Sequence, residues 1–273
     1  MKKISILGPE GSFSYILALK IKERLNSEII LSDNFNDIIS SIGDNYGLLP
    51  IENSTTSNVH ENIDSLFNSR LYILGEAFLS IKLNLIGLKN SKLTDIDKVY
   101  SHPKALSQAS KFLIEKNLKT EFVSSTSKGQ EIVLCENIKN IAAIGSSHLI
   151  DKENLKILES NIQNNKINKT RFLIVSKQED LSEKQGSLKA SIIFKLSHQP
   201  GSLVRILNYF SENNLNLTKI ESRPIPNTEW EYSFWVDFIL DSRKIKKVLD
   251  EMKDKVVSMQ LLGVYPNLGT FDS

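Results

Sequence analysis

Disulfides and metal-binding clusters are both missing from this sequence of 273 residues. Cys135 is the only cysteine, so no disulfide can form within the chain. An amphipathic helix around Cys135 is expected to turn it toward the core as a small hydrophobic residue. The four histidines, His60, His102, His148 and His198, lack the paired spacing of zinc ligands. The sequence therefore predicts no metal site.

Long apolar runs and a strong charge imbalance are missing as well. No stretch approaches the roughly 20 apolar residues needed to cross a bilayer, so no membrane span is expected. The apolar run at residues 4–7 is too short for the core of a secretion signal, which favours a cytoplasmic protein. With 34 basic and 32 acidic residues, the formal charge is only +2, which argues against nucleic acid and acidic membranes as partners.

Short apolar runs that alternate with helical patterns dominate the first two thirds of the chain. This alternation is typical of an α/β domain with a largely parallel sheet. Two extended stretches, residues 70–88 and "NKINKTRFLIV" at 165–175, interrupt the pattern. Two βα lobes joined by two extended crossings leave a cleft between them, so we expect a two-lobed binder of small molecules.

The last third of the chain has a different pattern. A polar stretch at residues 176–190 contains Gly186, has no apolar periodicity and is typical of a linker. The segments beyond it follow the order βαββαβ, which predicts a small ferredoxin-like module. We therefore place a linker at residues 179–188 and a second domain at 189–273.

Polar side chains recur where predicted strands end or helices begin. The carboxyl ends of strands are where α/β sheets bind ligands, and the N–H groups at a helix start attract anions. Helix capping and turn formation favour the same residue types, so each candidate alone also has a purely structural explanation. The candidates are Ser12, Glu52, Asn53, Ser54, Ser101, His102, Gln108 and Thr126.

A hydroxyl and a fixed positive charge, Thr170 and Arg171, stand just before the apolar strand "FLIV". By itself the pair is typical of an exposed strand start. Together with the polar strand ends it predicts a cleft of hydroxyls, amides and one arginine. Such a cleft suits the binding and rearrangement of a small polar anion.

Several short motifs in fixed order resemble the prephenate dehydratase family with its C-terminal ACT domain. They are "GPEGSFS", "PIENS", "YSHPKALSQ", "NKTRF", and "GSLVRIL" followed by "IESRP". The resemblance covers essentially the whole chain. It implies a two-lobed catalytic domain of the periplasmic-binding-protein-like type II fold over residues 1–178. Lobe 1 would hold about residues 1–75 and 165–178, lobe 2 about residues 76–164, and the ACT domain residues 189–273.

The resemblance also implies a hydro-lyase of phenylalanine biosynthesis that converts prephenate to phenylpyruvate without a cofactor. Thr170 would donate a hydrogen bond to the leaving hydroxyl. We expect Arg171 to hold the pyruvyl carboxylate, because an ion pair to the ring carboxylate would oppose decarboxylation. Phe172 would line a poorly solvated pocket for the ring carboxylate. Asn53 and Gln108 would bind substrate oxygens, and Glu52 would orient Arg171 or an amide.

The ACT resemblance implies phenylalanine as a feedback effector, bound between subunits of a homodimer or homotetramer. The helix start would take its carboxylate, Glu221 its ammonium group, and neighbouring apolar side chains its ring. The expected effector residues are Gly201, Ser202, Leu203, Val204, Glu221, Ser222 and Arg223. Two alternatives stay open, an arogenate dehydratase and a non-catalytic small-molecule sensor.

Overall fold

A computed structural model describes residues 1–150, 154–179, 187–225 and 227–273. The chain divides into two compact units. Unit 1 comprises residues 1–64, 77–173 and 269–273, and unit 2 comprises residues 65–76 and 174–268. The predicted linker falls largely on residues 180–186, outside the described residues. No helix within the described ranges is long and apolar enough to span a membrane.

The first sheet has seven strands and begins with the βα pattern read from the sequence. Its strands are β1 (Lys2–Leu7), β2 (Ser27–Ser32), β3 (Tyr46–Asn53), β4 (Ser57–Asn58), β5 (Tyr72–Ser80), β11 (Lys169–Ser176) and β16 (Asn267–Asp272). Its helices are α1 (Phe13–Ile21), α2 (Phe35–Ser41) and α3 (His60–Asn68). The strand order is β16-β5-β11-β3-β1-β2, and β4 pairs with β3. Parallel pairing of β1 with β2 and β3 places their carboxyl ends at one edge.

The second sheet has five strands in the order β10-β6-β9-β7-β8. The strands are β6 (Asn84–Leu88), β7 (Lys98–Ser101), β8 (Lys119–Phe122), β9 (Ile141–Gly145) and β10 (Leu155–Glu159). Its helices are α4 (Pro103–Gln108), α5 (Ser110–Glu115) and α6 (Thr126–Glu136). The single helix expected after Pro103 is two helices, because Ala109 leaves helical geometry at φ −109° and ψ 14°. The α/β fold class is confirmed.

Helix α6 lies close to β7 because Gly129 has no side chain. A Cβ at this position would come 2.7 Å from the carbonyl oxygen of Tyr100. The buried face of α6 includes Ser127, Gln130 and Val133, which recur at a spacing of three residues. Cys135 lies off this face and is exposed, so the expectation that it turns toward the core was wrong.

Unit 2 contains a four-stranded antiparallel sheet in the order β13-β14-β12-β15. The strands are β12 (Ser187–Lys195), β13 (Asn216–Pro224), β14 (Tyr232–Asp241) and β15 (Ser258–Tyr265), and the helices are α7 (Ser202–Glu212) and α8 (Ile245–Lys253). Side chains on one sheet face, including Ala190, Ile192 and Phe238, share a core with Phe210 of α7 and Met252 of α8. The predicted βαββαβ order is confirmed.

The opposite face of this sheet is unusually polar and packs against residues 65–76 of the same unit. Asp237 is fully buried and accepts hydrogen bonds from the Ser191 hydroxyl and from Trp235 Nε1. The hydroxyls of Tyr265 and Ser191 lie 2.6 Å apart. We call Ser191, Trp235, Asp237 and Tyr265 the unit 2 cluster. Nearby, Lys189 forms a buried ion pair with Glu76 at 2.8 Å.

Candidate active site

Unit 1 contains a cleft of about 780 Å³. Its walls come from the ends of β1, β2 and β3, the start of β11, and the starts of α1, α4 and α6. Seven predicted site residues line the cleft: Ser12, Asn53, His102, Gln108, Thr126, Thr170 and Phe172. These predicted residues therefore share one cavity, and their roles in it stay predictions.

Thr170 is held by the amide of Asn53. Asn53 Nδ2 donates to Thr170 Oγ1 at 3.0 Å. Asn53 Oδ1 accepts the backbone N–H groups of Thr55 and Thr56 at 2.9 and 3.0 Å. A backbone N–H can only donate, so these two contacts fix which end of the Asn53 amide is oxygen. The amide therefore donates to Thr170, and the Thr170 proton is left to donate to another acceptor.

Arg171 does not line the cleft. Its neighbours Thr170 and Phe172 do, and successive side chains of a strand point to opposite faces. The Arg171 side chain is only 3% exposed, and its guanidinium donates to Glu52 Oε1 at 3.0 Å. This placement differs from the expectation that Arg171 reaches across the cleft to a carboxylate. Glu52, which was expected to orient Arg171, does contact it.

Two predicted cleft serines have other positions. Ser101 is fully buried and donates to the carbonyl of Ile144 at 2.7 Å. Ser54 is exposed, and its N–H and hydroxyl bond the carbonyl and N–H of Lys169 at 2.9 Å each. Ser101 therefore ties β7 to β9, whereas Ser54 fixes the start of β11 beside the Asn53 loop. Glu52, Ser54 and Ser101 are not among the residues that line the cleft.

The starts of the helices give the cleft its electrostatic character. Ser12 caps α1 by accepting the N–H of Tyr15, and Ser125 caps α6 by accepting the N–H of Lys128. The remaining N–H groups of a first helical turn have no partner inside the helix, and the helix dipole favours anions there. Lys104 and Lys128 add two ammonium groups to the wall, although Lys128 also pairs with Glu131 at 2.8 Å.

His102 serves as the cap of α4. Its Nδ1 accepts the N–H of Lys104 at 3.2 Å, which requires the neutral ring. Burial, and then the charge of Lys104, lower the pKa of His102. The ring therefore favours its neutral form in the folded protein.

Sequence reasoning missed three polar residues that contact Asn53. Asn168 is 3% exposed and accepts from Asn53 Nδ2 at 2.8 Å. The hydroxyls of Thr55 and Thr56 also contact Asn53 Oδ1. Their positions next to Asn53 and Thr170 in "ENSTT" and "NKTRF" were the available signal. Polar residues in such loops are so common that this signal does not stand out.

The expected effector residues fall at one end of the unit 2 sheet. Arg223 pairs with Ser233, which pairs with Lys195, two residues before Ser197. Ser197 Oγ lies 3.0 Å from Ser202 Oγ at the start of α7. The second group, on β13, contains an ion pair between Glu221 and Arg223 at 3.3 Å. Gly201 has φ of 80°, a conformation that favours glycine. The effector role of these residues stays a prediction.

Comparison with known proteins follows this division of the chain. Residues 4–180 match the family described as Prephenate dehydratase, and residues 190–256 match the ACT domain. The prephenate dehydratase of Methanocaldococcus jannaschii is 35% identical over 263 residues, which cover 94% of this chain and 96% of that protein.

Two solved structures have the same fold over nearly the whole chain. The prephenate dehydratase from Arthrobacter aurescens in complex with L-Phe has a TM-score of 0.86 and 25% identity, covering 97% of this chain and 90% of that one. GqqA, described as a novel type of quorum quenching acylase, has a TM-score of 0.86 and 25% identity, with coverage of 97% and 98%.

Proposed function

The chain belongs to the prephenate dehydratase family, and on this basis we propose that the cleft eliminates water and carbon dioxide from prephenate with Thr170 as hydrogen-bond donor. The enzyme is a carbon–oxygen lyase. The observation that supports the role of Thr170 is its contact with Asn53, whose amide donates to the Thr170 oxygen at 3.0 Å. The threonine proton is thereby available to a ligand in the cleft.

The main task of the protein in this reaction is to stabilise the negative charge that builds up on the leaving oxygen. As the bond from the ring to its carboxylate breaks, carbon dioxide leaves and the electron pair enters the ring. The bond to the ring hydroxyl breaks at the other side, and hydroxide departs and takes up a proton as water. Aromatisation supplies the driving force. A hydrogen bond from Thr170 that strengthens as charge builds on the leaving oxygen would contribute about 3–4 kcal/mol.

The two substrate carboxylates require different surroundings. Since Arg171 lies off the cleft, we assign the pyruvyl carboxylate to the helix starts and to Lys104 and Lys128. The ring carboxylate would lie toward Phe172, which lines the cleft and is itself 1% exposed. Weak solvation there would favour loss of charge as neutral carbon dioxide, a hypothesis based on the apolar ring of Phe172.

Phenylalanine is the proposed effector of the ACT domain. The Arthrobacter aurescens relative was solved with L-Phe, and Arg223, which pairs with Glu221, lies at the same end of the unit 2 sheet as Ser202. Binding between subunits of a homodimer or homotetramer would give the effector a route to the cleft.

Three alternative functions are an arogenate dehydratase, a non-catalytic sensor and an acylase. An arogenate dehydratase performs the same elimination on an aminoacyl side chain, and a sensor has no turnover. An acylase needs a nucleophile beside a base. In the cleft, the Ser12 hydroxyl donates to the carbonyl of Leu7 at 3.1 Å, and His102 uses Nδ1 as a cap. These contacts favour the lyase.

An assay of phenylpyruvate and phenylalanine formation from prephenate and arogenate, with and without added phenylalanine, tests the proposal. We expect turnover of prephenate, inhibition by phenylalanine, and a fall in kcat of about 10²–10³ in Thr170→Ala with substrate binding retained. Unchanged turnover in Thr170→Ala would contradict the role of Thr170. Turnover of arogenate alone, of an acyl amide alone, or of nothing would favour the corresponding rival.

A further inference from the structure

Four side chains, that of Asn53 among them, form a closed ring of hydrogen bonds. Asn53 Nδ2 donates to Asn168 Oδ1 at 2.8 Å, and Asn168 Nδ2 donates to Gln108 Oε1 at 3.2 Å. Gln108 Nε2 donates to Thr55 Oγ1 at 2.7 Å, and the Thr55 hydroxyl donates back to Asn53 Oδ1 at 2.7 Å. We call these four residues the amide ring.

All donors in the amide ring point the same way around it, and the backbone decides which way. The N–H groups of Thr55 and Thr56 require oxygen at one end of Asn53, so its nitrogen faces Asn168. Asn168 must then present oxygen to Asn53 and nitrogen to Gln108. Gln108 in turn must present nitrogen to Thr55. Hydrogen bonds in such a chain polarise and strengthen one another.

Asn168 adds a second link between the two sheets of unit 1, beside the direct contact of Gln108 with Thr55. Asn53 ends β3 of the first sheet, whereas Gln108 ends α4 beside the second sheet. Asn168 bonds both and is almost fully buried. Its backbone is fixed as well, since its carbonyl accepts the N–H of Ile81 at 2.7 Å.

Asn168 does not line the cleft, so it acts through its neighbours. We propose that Asn168 is a positioning residue, which closes the amide ring so that Gln108 and Thr170 keep fixed orientations toward the substrate. This role rests on the proposed function, in which Thr170 donates to the leaving hydroxyl. Without Asn168 the Gln108 amide keeps its contact with Thr55 but its oxygen loses a donor, and the segment that carries Thr170 loses one of its ties to Asn53.

The Asn168→Asp variant is the sharpest test, because it changes one donor into an acceptor at constant shape. The carboxylate would face the Gln108 oxygen, so the Gln108 amide must reverse and the ring loses its single direction. The protonated carboxyl restores a donor. We therefore expect kcat to fall about 10- to 100-fold at neutral pH and its ratio to wild type to rise as the pH is lowered. Asn84→Asp is the matched control, since Asn84 is also buried and, among the described residues, its side chain accepts the N–H of Asn161 at 3.2 Å.

Thermal unfolding provides a readout that does not depend on the chemistry. If Asn168 and Gln108 act in one ring, Asn168→Ala and Gln108→Ala together should lower Tm by no more than the larger single change. Asn168→Ala should also lower kcat with KM within about threefold of wild type. If Asn168→Ala does not fold, the pH dependence of kcat in Asn168→Asp tests the positioning role on its own.

Three results would overturn the positioning role. They are full activity of Asn168→Asp at neutral pH, a pH ratio that follows the Asn84→Asp control, and additive losses of Tm. Wild-type turnover in Thr170→Ala together with non-additive Tm losses would instead contradict the proposed function and leave the ring intact.

Discussion

Two polar networks in this protein, one partly buried and one fully buried, consist of different kinds of side chain. The amide ring of unit 1 contains only amides and a hydroxyl, and its direction comes from backbone N–H groups. The unit 2 cluster is centred on the carboxylate of Asp237, with the ion pair of Glu76 and Lys189 nearby. Both networks contain buried polar groups, but the amide ring has no ionisable side chain.

The difference shows what a site for a dianionic substrate requires. A carboxylate beside Thr170 would orient the threonine hydroxyl toward itself and would repel the substrate. An amide held by backbone donors provides orientation without negative charge. The unit 2 cluster has no such constraint, and buried charged groups make it costly to disrupt. We expect changes in the amide ring to affect turnover and changes in the unit 2 cluster to affect stability.

The largest effect on turnover is expected from Asn53→Asp. The N–H groups of Thr55 and Thr56 would stabilise the introduced carboxylate, so the loop keeps its shape. This variant can no longer donate to Thr170, whose proton would turn toward the new carboxylate. We expect kcat to fall about 10²–10³-fold, with a moderate loss of Tm because the buried Asn168 Oδ1 loses its donor as well, measured by steady-state kinetics and thermal unfolding. A large loss of Tm with little loss of kcat would contradict the expectation that the amide ring serves turnover and the unit 2 cluster serves stability.

In unit 2 the largest effect is expected from Asp237→Ala. Its removal leaves the buried donors Ser191 and Trp235 without this acceptor, which costs about 1–3 kcal/mol for each unsatisfied group. Urea unfolding of the full chain measures the loss. Asp250→Ala is a control, because its pair with Lys253 is exposed and should contribute less than about 1 kcal/mol. Equal stability of the two variants would remove the special role of Asp237.

Arg171→Lys separates the two interpretations of this residue. Because Arg171 is buried beside Glu52, the substitution should lower the free energy of unfolding by about 1–3 kcal/mol and change KM for prephenate less than about threefold. Urea unfolding and steady-state kinetics of Arg171→Lys and wild type measure the two quantities. A KM raised more than about tenfold at unchanged stability would return Arg171 to the substrate carboxylate.

The last prediction is a pH dependence in unit 2 that appears only in alkaline solution. Burial, and then the hydrogen bond to Glu251, raise the pKa of Tyr209 to about 12 from its ordinary value of 10.0. The folded state therefore holds this proton more tightly than the unfolded state. The resulting stability is complete below pH 10 and is lost as the pH rises toward 12. The free energy of unfolding of Tyr209→Phe should not show this decrease between pH 10 and pH 12. The same pH dependence in Tyr209→Phe and wild type would contradict the raised pKa of Tyr209.

Sequence patterns predicted the fold better than the site. Apolar periodicity placed the α/β elements and the βαββαβ module, because burial repeats along each helix and strand. It missed β16, whose residues 267–272 include no long apolar run, and the break at Ala109. The carboxyl end of a strand pointed to Asn53, whereas Thr170 at the start of β11 and Gln108 at the end of α4 were predicted from their motifs, and all three line the cleft.

The misplaced residues have a common physical reason. Ser101 and Arg171 are polar residues that the sequence places beside cleft residues, and strand alternation turns each away from the cleft. Alternation alone could have separated Arg171 from Thr170. Asn168 was out of reach, because its importance comes from contacts with Asn53 and Gln108, which are 115 and 60 residues distant in sequence.

Steady-state kinetics of Thr170→Val and Thr170→Ser test the central claim most directly, because valine keeps the shape of threonine and serine keeps its hydroxyl. The orientation imposed by Asn53 predicts a loss of kcat of about 10² or more for Thr170→Val and less than about tenfold for Thr170→Ser, with KM for prephenate nearly constant in both. Thr170→Val with the turnover of wild type would contradict it.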